Sequence, residues 1–211
     1  MKVLIACEES QEVCKAFRRM GHEAFSCDIL SCSGGHPEWH IQDDVLKHLD
    51  EGWDMMIAHP PCTYLSNAGA RFLYPKGVLN KDRLKLGMDG RKLFMKLYNA
   101  DIPLICIENP LPSKIFGLPK HSQVIQPYEY GHPYKKRTQL WLKDLPMLIP
   151  TNIVKVSQST KIAGNWFNKG GKDRQKNRSK TFPGIAKALA IQYTKFVESG
   201  GRKNEMVDNI P

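Results

Sequence analysis

Cys62 closes the run MIAHPPC, Met56 to Cys62, and small and polar residues follow it as far as Gly69. A cysteine packed in a core needs no such punctuation, whereas a nucleophile held at the rim of a sheet does. The nucleophile is the thiolate, so a catalytic cysteine needs an electropositive, partly open setting. Glu108 ends a second apolar run, PLICIE, Pro103 to Glu108, where a carboxyl group can work as an acid. Glu8 and Glu9 follow the first apolar run of the chain, and Asp28 stands near the end of another. Taken alone, each has a plain structural use: Cys62 as a buried thiol in a turn, Asp28 as a turn residue or helix cap.

The elements that would position these residues alternate. KVLIAC, Lys2 to Cys7, reads as a buried strand. Ser10 is placed to cap a helix running to about Met20, with Val13, Cys14, Ala16 and Phe17 inward and Gly21 closing it. Strands are expected over His22 to Ile29, Asp54 to His59, Pro103 to Glu108 and Thr138 to Leu142. A long helix is expected over Asn80 to Ala100, with Leu84, Met88, Leu93, Phe94, Leu97 and Tyr98 available for one face. A closing helix begins at Pro183 and runs to Val197. This pattern predicts an α/β fold with a mostly parallel sheet flanked by helices, joined by right-handed crossovers. The 211 residues are read as a single domain, 1–211. Ligands of such sheets bind outside the carboxyl ends of the strands, where the acids and Cys62 fall.

The chain has no G-x-G-x-x-G and no Walker A pattern, so no dinucleotide or triphosphate cradle is indicated. An acid-bearing, glycine-poor first loop suits a ligand without phosphates. S-adenosyl-L-methionine (SAM) is one, a cation with an ammonium, a sulfonium and a ribose diol. Asp28 stands where an acid after a second strand accepts hydrogen bonds from ribose hydroxyls. The formal net charge of +10 favours polyanionic partners. From Lys169 to Lys180 six basic residues, among them Lys172 and Arg174, meet one aspartate. This strip is either a solvated loop or a segment that neutralises phosphates. No apolar run approaches a membrane span, and MKVLIACEES turns acidic too soon for a secretory signal, so a cytoplasmic protein is expected. The six cysteines form no C-x-x-C pair and are read as reduced thiols, most of them core residues; no metal site is expected.

PPCTYLSNAG resembles the catalytic loop of the cytosine-C5 DNA methyltransferases, whose signature is Pro-Cys followed by a mobile polar loop. IENP, Ile107 to Pro110, resembles their Glu-Asn dipeptide, YKKRTQLWL their arginine-bearing strand, and SKTFPGIAKALA their last cofactor-side helix. The order along the chain agrees. The resemblance implies a Rossmann-like SAM-dependent methyltransferase fold and a covalent mechanism. Cys62 would add to C6 of cytosine, and Glu108, held protonated by burial, would act at N3. Asn109 would brace the loop and Arg137 would hold the carbonyl at O2. Glu8, Ser10, Asp28, Asp44 and Pro60 would line the SAM site, with Glu8 facing the ammonium and Asp43 or Asp44 the adenine amino group. Thr63, Ser66, Lys136, Lys172 and Arg174 would meet the substrate, and Thr63 to Gly69 would form a movable lip. A thiol after Pro60-Pro61, in place of an aromatic residue, favours methylation of carbon over nitrogen.

Two departures bear on the substrate. ACEESQEV replaces the usual Phe-x-Gly-x-Gly loop. Residues 143–182 read as a reduced basic insert in place of a target-recognition domain, which implies a short or loose sequence preference. DNA is the expected substrate, with RNA or a free pyrimidine nucleotide as the alternative. A different class of reading is a non-catalytic nucleic-acid-binding protein with a decayed methyltransferase fold.

Overall fold

Alternation of side chains builds the molecule from its first strand outward. The computed structural model describes residues 1–70, 72–157 and 180–201. In β1 (Lys2–Ala6), Val3 and Ile5 point to one face of the sheet, Leu4 and Ala6 to the other, and all four are fully buried. The same period of two runs through β4 (Met55–Ala58) and β5 (Leu104–Pro110), whose apolar residues bury on both faces as an interior parallel sheet requires.

Seven strands form one sheet in the order β3-β2-β1-β4-β5-β7-β6. Here β2 is Glu23–Cys27, β3 His40–Ile41, β6 Gln123–Ile125 and β7 Thr138–Lys143. Pairing is parallel from β3 across to β5; β7 runs antiparallel to both β5 and β6. On one face α1 (Glu12–Arg19) and α4 (Pro183–Glu198) cover Val3, Ile5, Met55, Ile57 and Leu140. On the other, α3 (Lys81–Tyr98) lays Phe94 and Leu97 on Leu4, Met56, Ile105 and Trp141. A four-residue helix, α2 (Asn67–Ala70), lies between β4 and α3. The fold is the mostly parallel, Rossmann-like α/β sheet expected above.

Several expectations need correction. β1 stops at Ala6 and β2 at Cys27, because Cys7 adopts a left-handed backbone (φ 59°) and Asp28 turns the chain. Ser10 does not cap α1. Gln11 holds the cap position at φ 58° without a side-chain bond to the helix, and Glu8 reaches forward to the first free N–H groups instead. Asn80 does cap α3, accepting from the Arg83 N–H at 3.0 Å. Met88 of α3 is 40% exposed, because the inward positions of that stretch are Gly87 and Gly90. β3 and β6, at two and three residues, give no periodic signal. The strip holding Lys172 and Arg174 lies outside the described residues, as does most of 143–182. Among the described residues no helix is long and apolar enough to cross a membrane.

Gly87 marks a close approach. A Cβ there would meet the ring of Phe116, itself buried, at 2.3 Å. Gly87→Ala is therefore expected to destabilise the protein by about 1–3 kcal/mol through overpacking. The half-exposed neighbour Leu86, changed to alanine, should stay within about 0.5 kcal/mol of wild type. Urea unfolding of both variants tests this.

Candidate active site

Register places the site. Ala6 pairs with Cys27 and with Ala58, and Ala58 with Ile107. The next residue of each strand falls on one row across the carboxyl edge: Cys7, Asp28, His59 and Glu108. The strand order reverses between β1 and β4, so this edge holds the crevice where open α/β sheets bind ligands. Because β7 is antiparallel, its start lies beside the end of β5, with Thr138 opposite Pro110. Lys136 and Arg137, just before it, are thus carried to the same edge.

Glu108 and His59 meet there. The Glu108 Oε2 lies 3.1 Å from Nδ1 of His59, and the two side chains are 14% and 8% exposed. Burial pushes the Glu108 carboxyl up. The hydrogen bond from His59, the charges of Lys136 and His59, and a hydrogen bond from Thr138 outweigh burial and hold it below the ordinary glutamate value. The expectation of a protonated Glu108 is therefore corrected: burial is present, but three partners keep the free protein's carboxylate ionised. Thr138 is itself buried.

Asn109 is fully buried and donates from Nδ2 to the Pro60 carbonyl at 2.8 Å. This bond joins the end of β5 to the turn that carries Cys62, two residues on. Pro60 is buried and Cys62 half-buried. The Cys62 carbonyl accepts from Ser66 N at 2.9 Å. The expected lip is tied at its far end: Ser66 bridges to Pro112, Asn67 N donates to the Leu111 carbonyl, and Ser113 N to that of Leu65. Ser66 is 8% exposed and accepts from Gly69 N, a structural use of its hydroxyl. Gly69 passes so close to the Thr63 carbonyl that a Cβ would stand 2.1 Å from it. Arg83, not foreseen, reaches from the first turn of α3 to the carbonyls of Gly69 (3.2 Å) and Thr63 (3.4 Å), and lies over the rings of Tyr64 and Phe72. It brings a fixed cation to the residue after Cys62. Thr63 and Arg137 are exposed; Lys136 is half-buried and lies over Phe182.

The first loop is built differently from the expectation. Glu8 is 4% exposed and accepts from Val13 N (2.8 Å) and Cys14 N (3.1 Å), so its carboxylate occupies the amino end of α1. Burial raises its pKa, partly offset by His59 and the two N–H donors. Glu8 is committed to this cap, and Glu9 and Asp28 stand near each other at the ends of β1 and β2. Asp28 is raised by burial, lowered by the Leu30 N–H, and raised again by Glu9. Ser33 donates to Glu9 from both its hydroxyl and its N–H, which packs the loop after β2 onto the first loop. Ser10 is buried. Asp44 is exposed and caps a short 3-10 turn through Leu46 N, while Asp43 pairs with Lys47 and His48. Cys14, Cys27 and Cys106 are buried thiols pushed up to about 12 by burial, which leaves them inert.

The residues fit SAM by charge and by exclusion. The N–H groups of α1 that would receive a phosphate are filled by Glu8, and the loop from Cys7 to Gln11 contains no base. The acids Glu9 and Asp28 suit an ammonium and a diol. Among the described residues no group of three His, Cys, Asp or Glu side chains could hold a metal ion.

Sequence reasoning missed His59, Thr138 and Arg83. His59 did carry a signal, as the first polar residue after an apolar run, in the same position as Glu108. No family model and no curated protein matches the chain. Among solved structures it is similar to a protein provisionally described as a DNA modification methyltransferase encoded within an E. coli prophage. The identity is 14%, the TM-score 0.37, and the match covers 66% of this chain and 45% of that one, so the chain spans less than half that protein's length. The fold class stands on the strand order and register described above.

A carboxyl held below its ordinary value of 4.5 adds stability that is full above that pH and lost as pH falls through the folded value. The stability gap between wild type and Glu108→Gln should therefore narrow as pH is lowered from about 7 toward 3. Urea unfolding across that range checks it; a gap that widens on acidification contradicts the assignment.

Proposed function

We propose that this protein is a SAM-dependent methyltransferase that modifies C5 of cytosine in DNA through a covalent Cys62 adduct, with short or loose sequence preference. The observation that carries this reading is the Asn109–Pro60 hydrogen bond. It fixes the nucleophile's turn to the strand end that presents the acid. Glu9 and Asp28 would hold the cofactor, which supplies an electrophilic methyl group.

Cytosine C5 is a poor nucleophile until the ring loses its aromaticity. Cys62 forms the Sγ–C6 bond, the C5–C6 π pair moves to C4–C5, and the C4–N3 pair moves to N3, which carries a proton facing Glu108. The resulting enamine is nucleophilic at C5. As the C4–C5 pair takes the methyl group at C5, the N3 pair returns to C4–N3; the C5 proton then leaves to water, the C5–C6 double bond re-forms, and the Sγ–C6 pair returns to sulfur. The N3 proton is then released. A base protonated at N3 on a carboxylate is the same assembly as a neutral base on a carboxylic acid. The ionised Glu108 of the free protein therefore requires one proton to be taken up with the base. Arg137 supplies a cation near O2, and Arg83 holds the backbone next to Cys62. In a duplex the target base must leave the stack to reach this edge. The net charge of +10 supports a polymer over a free nucleotide.

Tritiated SAM incubated with DNA, RNA or dCMP should label DNA. Label in none of them, with no SAM-induced thermal shift, would sink the enzymatic reading; label only in RNA or dCMP would move the substrate. DNA containing 5-fluorodeoxycytidine should trap a stable adduct with wild type and none with Cys62→Ser. Glu108→Gln should lower kcat by roughly 10²- to 10⁴-fold, the usual worth of an acid–base group.

A further inference from the structure

His59 occupies the row between Cys7 and Glu108 and takes part in none of the steps above. Its side chain is 8% exposed, Nδ1 lies 3.1 Å from Glu108 Oε2, and Nε2 is buried with no hydrogen-bond partner. A carboxylate only accepts, so Nδ1 is the nitrogen that bears the proton in this contact. The ring faces carboxylates from two elements, Glu108 at the end of β5 and Glu8 before α1, which feels its charge. Glu108 in turn faces His59, Lys136, Thr138 and the Cys106 thiol. His59 thus stands between the reacting acid and the first loop.

We propose that His59 is a positioning residue for the methyl transfer: its Nδ1–H holds one oxygen of Glu108 and fixes how the carboxyl meets N3. The inference rests on the reading of Glu108 given above. It has two parts, both carried by this hydrogen bond. Orientation depends on an N–H at the Nδ1 position, which an asparagine amide can supply and a glutamine amide, reaching to the Nε2 position, cannot. The pH range in which the carboxyl holds its proton depends on the same N–H. Of the groups that pull the Glu108 carboxyl down, the His59 hydrogen bond is the largest, against burial that pushes it up. Without the ring, Glu108 keeps its proton to higher pH.

The test is the pH dependence of kcat on DNA for wild type, His59→Leu, His59→Asn and His59→Gln, with SAM affinity measured on each. The leucine and glutamine variants should lose roughly 10- to 100-fold in kcat, as when an orienting partner of a site residue is removed. The asparagine variant should recover most of that loss. In the leucine and glutamine variants the limb on which activity falls with rising pH should move to higher pH, and less so in the asparagine variant, while SAM affinity stays near wild type in all three. If the leucine variant does not fold, the asparagine–glutamine pair decides. Equal activity in those two, or a limb in the glutamine variant that stays where wild type has it, overturns the role of His59. A wild-type protein that methylates no substrate overturns the functional reading instead, so the two failures are distinct.

Discussion

Parallel pairing in one register is the constraint on which everything else depends. Backbone bonds of β1 to β2 and β4, and of β4 to β5, set Ala6, Cys27, Ala58 and Ile107 on a common row. The residue after each is then forced to the same edge, however far apart the four lie in sequence. A slip of one residue in β5 would turn Glu108 to the opposite face of the sheet and bring Asn109 in its place. The buried apolar residues on both faces of each strand make such a slip costly, so the core defends the site. Antiparallel β7 adds the last pieces, since only that direction brings the start of a strand, Lys136 to Thr138, beside the end of β5.

Electrostatics on this edge divides into two regions with opposite roles. Around the first loop, acids collect: Glu8 fills the amino end of α1, and Glu9 stands beside Asp28, whose charge burial disfavours. A cationic ligand relieves that arrangement, and a phosphate would worsen it. Around Glu108 the balance reverses. His59, Lys136 and Thr138 overcome burial and keep the carboxylate charged. An acid used at N3 must then gain its proton together with the base, so activation is coupled to occupancy. The left-handed residues Cys7 and Gln11, which carry Cβ where glycine is usual, show that the first loop keeps a strained backbone path.

Much of this was legible in the sequence because the informative residues stand at punctuation. Cys62, Glu108 and Asn109 follow apolar runs, and the strands end within one or two residues of where those runs break. Long elements were equally clear: the starts expected at Asn80 and Pro183 mark α3 and α4 to within a residue or two. What could not be read depends on partners far away in the chain. His59 and Glu108 are 49 residues apart and meet only through register. Ser10 has the better capping side chain, but the left-handed turn at Gln11 gives the helix end to Glu8. Burial of Glu108 was foreseen and its consequence was not, because the sign of the shift is set by His59, Lys136 and Thr138, all distant from it in sequence. Met88 was assigned inward by periodicity, whereas two glycines leave room for Phe116 and Leu65 to approach α3.

The central claim is that the carboxyl edge of β1, β2 and β4 is a cofactor crevice abutting the Cys62–Glu108 edge. Crystals grown with S-adenosylhomocysteine test it most directly. The account predicts density over the ends of these three strands, with the amino group toward Glu9, the ribose at Asp28, and the sulfur directed toward Cys62. Ligand bound at any other face, or a protein that takes up none at saturating concentration, would contradict it.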